Sequence, residues 1–155
     1  MTQQDPSPSP NDDSVQAPLV AGTDRLNEAA RPGLLHNRTD GLPSRVRRTL
    51  QKAGQLIEKR RVDEADRVLA EIPPASARHP EALRMLGVVR HLQKRHAESI
   101  DLLRKAAEQL PGDALIHNNF GSALRGAGDL QAAEAVFHRA CELNPNLAAA
   151  WFNLG

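Results

Sequence analysis

Apolar residues recur three and four positions apart from residue 46 to the C-terminus, and each run is closed by a proline, a glycine or a basic turn. Val46, Leu50, Ala53, Leu56 and Ile57 share one helical face, and Pro43-Ser44 supplies a stop and an N-cap, which predicts a helix over about 45–60. Ala65, Val68, Leu69 and Ile72 predict a second helix over about 63–72, ended by Pro73-Pro74, and the two form a hairpin. His79-Pro80 restarts the pattern. Leu83, Leu86, Gly87 and Val88 set the buried stripe of a helix to about His91, and Ile100, Leu103 and Ala106 that of a partner over about 97–109, closed by Leu110-Pro111-Gly112. Asp113 caps a helix carrying Ile116, Phe120, Ala123 and Leu124, which Gly126 and Gly128 end. Asp129 caps its partner, with Leu130, Ala133, Val136, Phe137 and Ala140 inward and Asn144-Pro145 at the end, and a last helix begins near Leu147.

The hairpins repeat with a period of about 34 residues, the length of a helix-turn-helix solenoid unit. One period carries Gly87 onto Gly121 and Gly155, Ala106 onto Ala140, and Pro111 onto Pro145. The pattern predicts an all-α fold, an antiparallel helix-hairpin solenoid over 44–155. Its units are a degenerate repeat (46–79), two full repeats (80–113 and 114–147) and a truncated one (148–155). Residues 1–43 are rich in Pro, Ser, Asn, Asp and Gly with scattered apolar positions, and are expected to form a disordered N-terminal tail. Leu19, Val20, Leu34 and Leu35 are its residues able to dock.

Composition narrows the picture further. With 40% hydrophobic but only 3% aromatic residues, the core rests on alanine and leucine, which let helices approach closely. The formal charge of +1 gives no long-range attraction to nucleic acid or membrane. The cationic face of the first helix, Arg45, Arg48, Lys52 and Lys59 with Arg47, Arg60 and Arg61 beside it, lacks the interleaved aromatics of a single-strand binder and reads as solvated. The single cysteine, Cys141, has no base placed to activate it, and no secretory signal or membrane-length apolar run is present, so a cytoplasmic location is expected. His91 and His96 lack a third ligand at metal spacing, while His117 and His138 suit packing or solvent. No metal, cofactor or catalytic residue is expected, and neither nucleic acid nor membrane as a partner.

The signature Phe120-Gly121, Leu124, Gly128, Ala133, Phe137, Ala140 and Pro145 resembles the tetratricopeptide repeat. The unit before keeps Leu83, Leu86-Gly87, Ser99, Leu103, Ala106 and Pro111; the first keeps Ala53, Leu56, Ala65 and Leu69; the last begins with Trp151, Leu154 and Gly155. Three departures carry expectations. Arg90 and Lys94 replace Leu124 and Gly128, which predicts a looser turn and an outward-reaching Arg90, and Ile72 replaces the small Ala106, a departure from the pattern at the first interface.

The resemblance implies a right-handed superhelix whose first helices line a concave groove for a protein segment or extended peptide. Carried onto this chain, the groove residues are Arg84, Val88, His91, Asn118, Asn119, Ser122, Arg125 and Asn153, with Leu115. Asn119 and Asn153 are one period apart, similar to the asparagine ladder in the repeats of O-linked N-acetylglucosamine transferases. The same spacing serves amides that hold a neighbouring helix or loop. The carboxylate-clamp form of the family fits worse, because Leu50, Gly54, Leu115 and Asn119 occupy its places. Trp151, Phe152 and Leu154 arrive just before Gly155, in mid-signature. That ending leaves self-association through an uncapped last repeat open to the chain. It also resembles the N-terminal repeat arm of a bacterial sulfotransferase or glycosyltransferase, with the catalytic domain further along the parent protein. These residues themselves are expected to form a non-catalytic interaction scaffold.

Overall fold

The computed structural model describes residues 38–155. The expectation of a disordered tail falls on residues 1–37 outside the described part. Of residues 38–43, Leu42 is buried, Arg38 and Thr39 are half-buried, and Asp40, Gly41 and Pro43 are exposed. Gly41 turns the chain at φ 80° and Leu42 is buried with the first helices. One buried leucine has no periodicity, so no pattern announced it.

Eight helices have described bounds: α1 (Ser44–Glu58), α2 (Val62–Leu69), α3 (Pro74–Ala77), α4 (Pro80–Leu92), α5 (His96–Gln109), α6 (Ala114–Gly126), α7 (Leu130–Leu143) and α8 (Ala148–Leu154). There is no strand among the described residues. α1 pairs with α2, α4 with α5 and α6 with α7, and each hairpin stacks on the next, with α8 laid against α6 and α7. The single-turn α3 was not expected. Pro74 stands in its first turn, where a missing N–H costs nothing, so the residue that ends one helix begins another.

Inside each hairpin the contact is set by a small residue. A Cβ on Gly87 would lie 2.6 Å from Leu103 Cγ, and one on Gly121 2.7 Å from the Phe137 ring, closer than atoms can approach. Ala65, Ser99 and Ala133, one period apart, are all buried at the facing position, and Ser99 Oγ donates to the Gly87 carbonyl at 2.7 Å. Ile72 is accommodated outside the helix. α2 stops at Leu69, so Ile72 leaves the helix and packs into the first core with Val46, Leu50 and Val89.

The turns inside the hairpins are equally regular. Arg60, Lys94 and Gly128, one period apart, take left-handed φ angles of 59°, 63° and 89°. The following N–H groups of Arg61, Arg95 and Asp129 donate back to the carbonyls of Leu56, Arg90 and Leu124 at 2.9, 2.8 and 3.0 Å, a Schellman closure repeated three times. The middle turn is therefore as tight as the last, contrary to the reading of Lys94. Nor does Arg90 reach into solvent. Its Nη1 donates to Asp66 Oδ2 of α2 at 2.7 Å and to Gln93 Oε1 at 2.8 Å, tying two repeats together.

Candidate functional site

The expected groove residues are distributed over three helices: Arg84, Val88 and His91 on α4, Asn118, Asn119, Ser122 and Arg125 on α6, and Asn153 on α8. Two polar clusters involve these helices, one at the N-terminal ends of α4 and α6 and one where α6 meets α8.

At the N-terminal ends, Asp113 caps α6. Its Oδ1 accepts from Leu115 N at 2.9 Å and Ile116 N at 3.1 Å, and from Arg38 Nη2 at 3.1 Å. Arg38 Nη1 stands 3.9 Å from Glu81 Oε2, in the first turn of α4. Glu81 in turn receives two hydrogen bonds from Arg84, at 2.9 and 2.6 Å, and both residues are buried, 7% and 6% exposed. Burial alone would raise the Glu81 carboxyl. The charge and hydrogen bonds of Arg84, with the charge of Arg38, hold it below its ordinary value, so the pair is ionised. Burial and the neighbouring Arg84 charge lower the Arg38 guanidinium against the pull of Asp113 and Glu81.

Between α6 and α8, Asn153 Nδ2 donates to Asn118 Oδ1 at 3.0 Å and Arg125 Nη2 donates to Asn153 Oδ1 at 2.9 Å. Arg125 also lies over the Phe137 ring at 5.3 Å. The partner of Asn153 is thus Asn118, one place away from Asn119 of the periodic ladder. The Asn153 amide is engaged on both its atoms by neighbouring helix residues. Asn118 Nδ2 is buried with no hydrogen-bond partner.

Of the expected groove residues, Arg84, Val88, Asn118, Asn119 and Ser122 are buried, His91 and Asn153 half-buried, and Arg125 exposed. Val88 belongs to the first core. The Ser122 hydroxyl donates to the Asn118 carbonyl of its own helix at 3.1 Å. His91 lies apart from the asparagines, its ring 5.1 Å from that of His96, beside Gly126, where a Cβ would come within 2.6 Å of His96 Cε1. Burial, then the charges of His96, Lys94 and Arg125, lower His91 to about 4, so it is neutral at physiological pH. Both rings bury an Nδ1 with no hydrogen-bond partner. No group of three or more His, Cys, Asp or Glu able to hold a metal exists among the described residues, and burial pushes the Cys141 thiol up, away from a reactive thiolate.

Sequence reasoning missed Glu81, Asp113 and Arg38 as members of this face. Glu81 and Arg84 at i, i+3 were a readable pair. Arg38 was not, because its partner Asp113 lies 75 residues away.

The repeating small-residue contacts and closures find their counterpart in known sequences: the tetratricopeptide-repeat family matches residues 56–114 and 118–155. The chain belongs to that family. Among curated proteins, this tetratricopeptide-repeat chain is similar to mouse (Mus musculus) "Protein O-mannosyl-transferase TMTC1", 26% identical over 117 residues. The match takes in 73% of the chain but 12% of that relative's length. No helix among the described residues is long and apolar enough to cross a membrane.

Proposed function

We propose that the chain is a non-catalytic scaffold that binds an extended peptide or protein segment along α4, α6 and α8. Asn118 carries the reading. Its buried Nδ2 is a donor without an acceptor on a face that repeat proteins of this family use for peptides, and a peptide carbonyl would supply the missing partner. Arg125, exposed beside it, adds a charged contact at the open side. Asn153 acts through Asn118, holding its amide by the side-chain hydrogen bond between helices. Asn119 is buried one residue on.

One net hydrogen bond contributes about 1 kcal/mol, so Asn118→Ala should weaken binding roughly 5-fold, and Arg125→Ala by a similar factor. The probe is a peptide selected from a random library on the full chain, with affinities read by fluorescence anisotropy. Unaltered affinity in both variants would sink the reading.

A second reading is favoured by the mouse relative, whose printed name is that of a transferase and of which the matched repeats form a small share. In it, these repeats are the substrate-recruiting arm of a larger transferase. Sequencing the gene beyond the codon for Gly155 tests it: a transferase domain in the same frame supports the arm, and a stop codon there with no such domain removes it.

A further inference from the structure

We propose that the cationic row along α1 is a docking surface for an acidic helix of a partner protein, seated where later first helices receive the second helix of the preceding hairpin. The peptide-binding reading above is independent of it, since its residues lie on α4, α6 and α8.

The repeat period defines the face. Arg48, Lys52 and Gln55 stand one period before Ala82, Leu86 and Val89, and two periods before Ile116, Phe120 and Ala123. In those later units the face packs on the hairpin before it. Ala82, Leu86 and Val89 join the first core with residues of α1 and α2. Ile116 meets Ala106 of α5, and Phe120 packs in one cluster with Ile100 of α5. Val89 and Ala123 are 0% exposed. On α1, by contrast, Arg48, Lys52 and Gln55 are all exposed, and no described hairpin precedes them. α1 therefore presents the surface that takes a helix elsewhere in the stack, with its apolar residues replaced by polar ones.

The charge defines the partner. At about 100° per residue, Arg45, Arg48, Lys52 and the C-cap Lys59 lie with Gln55 within a sector of about 80°, along about 21 Å of axis. Closing the end of a repeat stack takes polar residues, but not residues of one sign. Arg45 and Arg48 are like charges at i, i+3, Arg48 and Lys52 at i, i+4, and α1 has no acid in its first turn, where the helix dipole favours one. All three features oppose the helix that carries them. Elsewhere Arg61 pairs with Glu64, Arg95 with Glu98, Arg104 with Asp101 and Arg139 with Glu142, each three residues apart. The four cations of the α1 row form no such pair among the described residues, and Glu64, which feels the charge of Lys52, is bonded by Arg61. A row of one sign at helical spacing is matched by carboxylates at the same spacing on a facing helix.

Other anionic surfaces fit less well. The exposed large apolar residues are Leu110, Leu130, Trp151 and Phe152, so α1 offers no aromatic to stack on bases and no apolar side chain to insert into a bilayer. A formal charge of +1 gives weak attraction to duplex phosphates.

The test follows amide chemical shifts of the full chain, labelled with nitrogen-15, on addition of a synthetic alanine-based helical peptide of about 20 residues with glutamates along one face. Shifts confined to α1 are expected at low salt, fading as salt is raised. An isomer with the glutamates spread around the helix should bind about fivefold more weakly. Arg48→Glu with Lys52→Glu should abolish the shifts, and Arg104→Glu, at an exposed position of α5, should leave them. A peptide with lysine in place of each glutamate should instead bind the reversed variant, which loss of folding could not produce. Absence of shifts on α1, equal affinity for the two isomers, or no binding of the lysine peptide to the reversed variant overturns the proposal. A DNA duplex of about 20 base pairs is the competing probe, and tighter binding of the duplex than of the peptide at equal salt overturns it in favour of nucleic acid.

Discussion

Lys94 occupies a left-handed conformation that costs an L-residue with a Cβ on the order of 1 kcal/mol, whereas Gly128 one period later takes it freely. Lys94→Gly should therefore raise stability, by about 0.5–1 kcal/mol, read as a higher urea midpoint at unchanged slope. Arg60→Gly tests the same point in the first hairpin. An equal or lower midpoint in both would mean that the turn is relaxed as it stands. The position was legible by period but misread by residue type, because lysine is no turn former and the Schellman bonds use only backbone. Gly87 and Gly121 were legible for the opposite reason: their smallness is their function, and Leu103 and Phe137 fill the space. Arg90 was read as reaching outward because Asp66, its partner, lies 24 residues earlier on another helix.

α4 concentrates the chain's coupled charges. It carries the buried Glu81–Arg84 pair at its start, and at its end Arg90 bonded to α2 and His91 against α5. His91 is held at about 4, below the ordinary 6.5, so its neutral form is favoured by folding. That contribution is whole above about pH 6.5 and is lost as pH falls toward 4. The partial exposure of the ring limits the loss to roughly 1–2 kcal/mol. Glu81 and Asp66, both lowered, contribute stability that is complete above their ordinary values and disappears at still lower pH. Urea midpoints should fall in two stages on acidification, and His91→Gln should flatten the first while leaving the second. A first stage that persists in the variant would assign it elsewhere. None of this could be seen in the helical pattern, which marks faces but not the depth at which a histidine sits. The bounds of α2 show the same limit. Ile72 obeyed the helical spacing, yet the helix stops at Leu69 and the isoleucine packs from the turn.

At the scale of the molecule, each hairpin touches its neighbours, and the order of helices along the stack follows the order along the chain. The repeat period made that architecture legible, since it fixes which faces meet. The site was less legible, because the period places groove residues by helix position and is silent on how deeply each is buried. Asn118 rather than Asn119 meets Asn153 for a related reason: neighbouring first helices are set side by side, so facing residues need not be one period apart. The contact between Arg38 and Asp113 breaks the nearest-neighbour rule, joining residues 75 apart and spanning the first two repeats. A linear stack can fray from an end, one unit at a time. Fastening the chain before α1 to the cap of α6 makes opening of the first unit strain the third, so the array should melt as a single cooperative body. Arg38→Ala should broaden the unfolding transition and split the signals of Trp151 fluorescence and far-ultraviolet circular dichroism, which should coincide in the parent chain.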